Sequence, residues 1–524
     1  MENLVDAARS TVRGGLYVLI GNVLSTGLLG LTSIVMARIL GPEDYGLYSL
    51  ALIPASLISS LIALGINSAI INFVAKRSKR GEEGEVRKVV TYGGIYSLVS
   101  GLFSALLLLL ASDFFASYLI RRESLSSLVA ITSLALFGQN LLNFSISALY
   151  GLNDMRTASA VRVLQAITKL TAVLTLLLLG FKTYGAILGH SLSYLLAGLV
   201  SVLIIRKLLG GINGVRALLL EGPKVLKEML SYGIPLYLSS LLLSLNFQVN
   251  NIILAAFTTN VEIGNYSVAS KLISLITLIS SPISITLFPT FSRFDLEKER
   301  NELSRVLKWS VKYTALLLVP SSAYLTLLSS QLISLVYGKV YKLAPLYLSL
   351  LTINYLYAGL GSLTFGPFFN GIGLTRVTFT ITSLTFAIAV SLALPFTLTL
   401  RVPGLILANL MGALAGVTYG LMKVKKLGFN VDLTSSLKVY LSTSITSLIT
   451  WILKLVLPFK NSLLTLVLLT PSYLTLYLLS LPLTKAITLD DLRILRAIFK
   501  GFKPLYGPLE YFLSLEERVI RIVG

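Results

Sequence analysis

An all-α polytopic membrane protein of about fourteen transmembrane helices is the fold class that this sequence predicts, on three observations. The chain of 524 residues is 55% hydrophobic and only 13% charged, with a mean hydropathy of +0.82. A soluble protein of that length needs more polar surface to cover its core. Apolar runs of about 18 residues or more recur along nearly the whole chain, each long enough to cross a hydrocarbon layer roughly 30 Å thick. The charges fall between those runs, so the membrane is the solvent and each backbone must satisfy itself helix by helix.

The first span is expected at 14–37. Its apolar stretch from Leu16 to Met36 is too long for the hydrophobic part of a signal peptide, and no small-residue cleavage site follows, so no removable leader is expected. Further spans read at 47–74, 89–111, 125–149, 158–180, 184–205, 231–256, 264–290, 310–336, 344–369, 376–399, 402–422, 437–457 and 462–483. The second and eighth carry weak polar interruptions but keep the length of a span. The longest connections, 206–230 and 292–309, are short and basic, and no soluble domain fits. From 486 onward Leu492, Leu495, Phe499 and Phe502 recur at helical spacing with Arg493, Arg496, Lys500 and Lys503 interleaved. That pattern predicts an amphipathic helix on an anionic cytoplasmic surface.

The formal charge of +21 would suggest nucleic acid in a soluble protein, but here it reads as the positive-inside rule, with no nucleic-acid partner. With the N-terminus in the cytoplasm, 33 of the 44 Lys and Arg residues fall on the cytoplasmic side. Both termini are therefore expected inside the cell membrane. Absence of Cys excludes disulfides, thiolate catalysis and Cys-bound zinc, and no cofactor is expected.

An internal repeat organises the spans. Pro42-Glu43-Asp44-Tyr45-Gly46-Leu47-Tyr48-Ser49-Leu50-Ala51 follows the first span, and Val261-Glu262-Ile263-Gly264-Asn265-Tyr266-Ser267-Val268-Ala269 follows the seventh, at an offset of 218 or 219. Tyr150-Gly151-Leu152-Asn153-Asp154-Met155-Arg156 faces Asn370-Gly371-Ile372-Gly373-Leu374-Thr375-Arg376 at an offset of 220. The chain thus reads as a six-helix bundle at 1–215, a second at 216–430, two extra helices at 431–485 and a cytoplasmic tail at 486–524. Six spans per repeat keep both copies in one orientation, with a natural cavity between the halves and alternating access by rocking.

The stretch Ala37-Arg38-Ile39-Leu40-Gly41-Pro42-Glu43-Asp44-Tyr45-Gly46-Leu47-Tyr48-Ser49-Leu50 resembles the junction of the first two helices in Wzx-like polysaccharide flippases of the multidrug/oligosaccharidyl-lipid/polysaccharide (MOP) exporter superfamily. Gly371-Ile372-Gly373 with Arg376 is similar to the turn between that family's tenth and eleventh helices. The resemblance implies two six-helix bundles in a V-shaped arrangement and translocation of a lipid-linked oligosaccharide or polysaccharide precursor across the cytoplasmic membrane. It also implies that helices 13 and 14 match an extra pair found in flippases, which in lipid II flippases helps form a groove for the lipid tail.

Polar groups within the spans supply the candidate site. All 23 Asp and Glu residues fall in loops or at span ends, so the sequence lacks the intramembrane carboxylate that proton- or sodium-coupled drug export uses. Two cations do lie inside spans, Lys169 and Lys271. Arg162, Gln165 and Lys169 share one stripe by spacing. Asn246 and Asn250 lie along another helix, with Asn143, Asn22 and Asn354 elsewhere and Arg38 in the motif named above. Cations suit a polyisoprenyl phosphate or pyrophosphate, and amides suit sugar hydroxyls; the opposing reading has the amides joining helices and His190 serving structure. The expected protein is a flippase and not an enzyme, a monomer that glycosyltransferases or a polymerase can accompany, and its partners are the lipid-linked saccharide and membrane lipids. The alternatives are a MATE-type small-molecule exporter and a membrane glycosyltransferase or polymerase; the latter lacks a long loop and an Asp-x-Asp pair.

Overall fold

A computed structural model describes residues 2–209, 215–296, 298–457 and 461–499, with 510, 513–514, 517–518 and 520 in the tail. All secondary structure among them is helical. Among the described residues nine helices are long and apolar enough to cross a membrane, or eleven if each of two bent pairs forms one span. The chain divides into two compact units, Met1–Gly264 and Asn265–Gly524.

In the first unit α1 (Glu2–Ala51) holds two helices joined at Gly41 (φ 74°, ψ 177°), after which Pro42 starts the second piece. Proline suits that place because its missing N–H has no helical partner there. α2 (Ile53–Ile62) ends at a break where Leu64 and Gly65 take positive φ, and α3 (Ile66–Lys79) follows. The polar interruption read in this span is thus a true discontinuity. Its freed carbonyls find partners: Tyr237 Oη donates to Ser60 O at 2.8 Å and Tyr96 Oη to Ile62 O at 3.1 Å.

α4 (Glu83–Leu110) leads through the single turn α5 (Ser112–Phe114) and a π-helical stretch, Phe115–Ile120, to α6 (Ser126–Gly151). α7 (Met155–Leu178), α8 (Lys182–Leu208) and α9 (Val215–Phe257) complete the unit, together with the start of α10 (Asn260–Phe291). α9 begins at Val215, so much of the connection expected at 206–230 is helix. The core gathers Ile70 and Val74 of α3, Val89 of α4, Leu149 of α6, Ala158 of α7 and Met229 of α9. One crossing is closer than side chains allow. A methyl group at Gly46 would stand 1.9 Å from Asn260 O, and one at Gly264 would stand 1.8 Å from Pro42 O, so only glycine fits at either place.

In the second unit α11 (Arg300–Leu327) bends by 71° into α12 (Ser329–Val336). α13 (Ala344–Leu356) and its 3-10 extension bend by 48° into α14 (Ser362–Gly371). α15 (Thr375–Lys426) joins two helices across Arg401 (φ 59°, ψ −138°), and α16 (Leu433–Val456), α17 (Ser462–Leu483) and α18 (Leu489–Phe499) follow. Two irregularities are met by side chains of the last pair. Pro320 has no N–H for the carbonyl of Leu316, and Tyr477 Oη donates to that carbonyl at 2.9 Å. Where α11 ends, Lys454 Nζ donates to Leu327 O at 2.8 Å.

The start of the tail packs more deeply than a surface anchor would. Ile487 and Leu492 join a core cluster with Leu316, Val439 and Leu481. Asp491, 3% exposed, accepts from Lys312 Nζ at 2.5 Å and from Tyr313 Oη at 3.1 Å. Periodicity alone had put the apolar face of α18 on lipid, whereas Leu492 faces protein because Asp491 is drawn to a lysine 179 residues earlier. Phe502, Lys500 and Lys503 lie outside the described residues.

Candidate substrate-facing site

In the first unit the candidate groups cluster around α7. Arg162 is half-buried; its Nη1 donates to Asn22 Oδ1 of α1 at 3.3 Å, and its guanidinium lies 5.6 Å from the Tyr150 ring centre at the end of α6. Lys169, also half-buried, stands about 10 Å further along the same line, seven residues at the helical rise. Asn22 itself is exposed, so this cationic line has an amide and an aromatic face at one end and an open side. Nothing in a run of helical periodicity points to Tyr150; its signal was its place in the Tyr150–Arg156 turn, next in space to Arg162.

Gln165 does not share that open side. It is 5% exposed and its Nε2 donates to Ser193 Oγ at 3.2 Å, while Ser193 Oγ donates to the carbonyl of His190 at 2.7 Å. At 3.6 residues per turn, Gln165 lies about 60° around the helix from Arg162 and about 40° from Lys169, on the side that meets α8. His190 continues this internal chain through Nδ1 to Tyr48 Oη at 2.9 Å. The amide and the imidazole thus join α1, α7 and α8 within the unit.

The other candidates are dispersed. Asn143 is exposed on the otherwise largely buried α6, and Arg38 is exposed near Gly41. Asn246 and Asn250 are half-buried on α9; the neighbouring Gln248, which the sequence did not single out, is buried and accepts from Ser56 Oγ at 3.1 Å. In the second unit Lys271 is exposed on α10 and Asn354 is exposed on α13. The hydroxyls beside Lys271 are spent locally: Ser274 donates to Lys271 O at 2.5 Å and Thr277 to Ser274 O at 2.7 Å. Lys169 and Lys271 belong to different compact units.

A second group that the sequence did not flag lies at the turn between α9 and α10. Arg122 Nη2 donates to Thr258 O at 2.9 Å and its Nε to Asn260 Oδ1 at 3.2 Å, while the guanidinium of Arg121 stands 5.1 Å from the Phe257 ring centre. In the second unit Asn265 of α10 meets the start of α13, accepting from Leu343 N and Ala344 N at 3.0 and 2.9 Å. Among the described residues no group of three or more His, Cys, Asp or Glu could hold a metal ion.

Residues 11–295 match the model of a family described as polysaccharide biosynthesis protein, and residues 215–479 match that of lipid II flippase MurJ. The lipid II flippase MurJ of Bacillus subtilis is 22% identical over 470 residues, covering 79% of this chain and 82% of that protein. A solved structure of lipid II flippase MurJ in an inward closed conformation gives a TM-score of 0.71 at 18% identity, covering 89% of this chain and 98% of the other. An inward-facing multidrug resistance MATE transporter of the MOP superfamily gives 0.63 at 19% identity, covering 77% and 95%. At these identities the structural likeness speaks for the fold.

Proposed function

We propose a transport reaction for this chain, which belongs to the polysaccharide biosynthesis protein family of MOP-superfamily flippases: it carries a lipid-linked oligosaccharide or polysaccharide precursor across the cytoplasmic membrane. The observation that carries the site is the cationic line of Arg162 and Lys169, open on one side and set with Asn22 and Tyr150. A phosphate or pyrophosphate suits the cations through charge-assisted bonds, and sugar hydroxyls suit the exposed amides. Lys271 supplies the matching cation from the second repeat.

The cycle is alternating access between two six-helix repeats, followed by two extra helices. Fourteen spans follow if Tyr17–Ile62 is divided at Gly41 and Thr375–Lys426 at Arg401, each bent pair is counted once, and α9 is added. The glycine crossing supports the repeat, because 218 residues separate Pro42 from Asn260 and also Gly46 from Gly264. The crossing therefore maps onto itself when the two copies are exchanged. By sequence α9 begins the second repeat at 216–430, yet by packing it belongs with the first unit. A helix with that double membership is a natural hinge. Both termini lie in the cytoplasm, and the chain works as a monomer that glycosyltransferases or a polymerase accompany.

The MATE-like likeness supplies the rival, export of small molecules. The test is reconstitution into vesicles with a polyisoprenyl-linked oligosaccharide, its arrival in the far leaflet read by an impermeant glycosidase or lectin. Translocation above protein-free vesicles is the expected result. Proton-driven efflux of hydrophobic cations with no lipid-linked sugar movement would replace this reading with the rival.

A further inference from the structure

The end of α17 and the start of the tail line an open cavity of about 410 Å³, apart from the cationic line on α7. Its volume falls within the range of small-molecule sites, roughly 300–1,000 Å³. Pro482, Ile487 and Ile520 line it together with Lys485, Asp490 and Arg493. Pro482 and Ile487 are buried whereas the three charged residues are exposed, so the cavity has an apolar floor and a charged rim. Arg493 Nη1 donates to Asp490 Oδ1 at 3.3 Å, which leaves the rim with a net single positive charge. The wall is fixed in place, because Asp491 pins α18 to Lys312 and Leu492 is buried beside it.

The cavity lies at the C-terminal end of α17, a helix long and apolar enough to cross a membrane. On α17, Leu479 and Leu483 are 37% and 59% exposed and share one face by their spacing of four. Pro482 lines the cavity from the same part of the helix. Apolar surface that continues into a cationic pocket matches an amphiphile whose chains lie along the helix and whose head carries one negative charge. We propose that this cavity holds the phosphodiester headgroup of an anionic membrane phospholipid, with its acyl chains along α17. A phosphodiester bears a single charge, which the net charge of the rim balances; a pyrophosphate would leave negative charge unmet beside Asp490. Basic pockets at the cytoplasmic surface of helical membrane proteins select anionic lipids on the same physical ground.

The test is native mass spectrometry of the full chain in detergent, titrated separately with phosphatidylglycerol, phosphatidylcholine and inorganic phosphate. Phosphatidylglycerol should be retained in preference to phosphatidylcholine, and inorganic phosphate should not displace it. The double substitution Lys485→Asn, Arg493→Gln should weaken phosphatidylglycerol about fivefold to tenfold, a figure that already discounts the exposure of both cations. Asparagine is chosen at Lys485 because that residue has φ 55°, which asparagine tolerates. Arg80→Gln, which removes another exposed cation, should leave binding unchanged. Asp490→Asn removes a carboxylate from the rim and should tighten phosphatidylglycerol, a gain that no folding defect can imitate. Equal retention by the parent and the double variant, no gain in Asp490→Asn, or displacement by inorganic phosphate would each overturn the proposal.

Discussion

Lys169 and Lys271 carry the sharpest consequence of the transport reading at the scale of single residues. A phosphate held by an ammonium group in a poorly hydrated cavity gains roughly 1.5–3 kcal/mol per charge-assisted bond, so losing one lysine should weaken binding by about tenfold to a hundredfold. Lys169→Ala and Lys271→Ala are expected to reach the membrane in normal amounts and to lose translocation, while arginine at either place keeps part of it. Parental flipping rates in both alanine variants would remove these lysines from the mechanism. Gln165 makes the contrast, since its amide is committed to Ser193 inside the α7–α8 interface. Gln165→Ala should lower thermal stability by about 1–3 kcal/mol, through a lost hydrogen bond and a small void. Its apparent substrate affinity should stay at the parental value in the flipping assay. The two residues lie four positions apart on one helix, and the sequence placed them in one stripe. About 40° around the helix axis separates Lys169 from Gln165, and whether that turns one of them into packing is decided only once the neighbouring helix is in place.

At the scale of elements, the crossing of Gly46 with Gly264 and the docking of α18 are the two contacts with the most to lose. Backbone carbonyls, not flexible side chains, would meet a methyl group at either glycine. Gly46→Ala and Gly264→Ala should therefore each destabilise the protein by at least about 2 kcal/mol, as overpacking does, and a melting curve in detergent measures it; unchanged melting in either variant would mean that this crossing is looser than 1.9 Å implies. The tail helix depends on a buried ion pair. Burial alone would raise the Asp491 carboxyl, but hydrogen bonds from Lys312 and Thr488 and the lysine charge outweigh it and hold the group below the ordinary carboxylate range. Because the folded value lies below the unfolded one, this contribution is fully present above the ordinary value, about 3.9. It fades as pH falls through the lower, folded value. Asp491→Asn should thus melt earlier than the parent at neutral pH, and the gap should close as acidification carries the pH through the lowered, folded value. A gap that persists undiminished in acid would show that the carboxylate charge is not what docks the helix. Removing Asp491 alone leaves Lys312 buried and should cost about 3–5 kcal/mol, whereas Lys312→Met with Asp491→Leu should be close to neutral.

For the whole molecule, the distribution of cations predicts the orientation. Cysteines placed at Lys79 and Arg300, in a chain with none of its own, should be shielded from an impermeant thiol reagent in intact cells and labelled after lysis. Labelling of both from outside would invert the topology. The apolar runs were legible as helix, since those named from the sequence coincide with helix among the described residues, where nine to eleven spans are long and apolar enough to cross a membrane. Hydrocarbon solvation acts on about twenty consecutive residues at a time, so a one-dimensional scan captures it. The interruptions were legible only in part. Polar residues hinted at a weak second span, but the break at Leu64–Gly65 and the partners of its carbonyls, Tyr96 and Tyr237, come from helices far along the chain.

The sequence by itself determined the membrane as solvent, the helical class and the apolar runs that become helix, with Lys169 and Lys271 among them. These are properties of local composition, and local composition is what a bilayer selects. Only the tertiary structure decided which polar groups face one another: Arg162 with Asn22 and Tyr150, Gln165 with Ser193, Arg122 with the α9–α10 turn, and Asp491 with Lys312. The physical reason is that a hydrogen bond or an ion pair is set by atoms within about 3 Å of each other. The partners here stand between 12 and 179 residues apart in the chain, wherever packing brings their helices together.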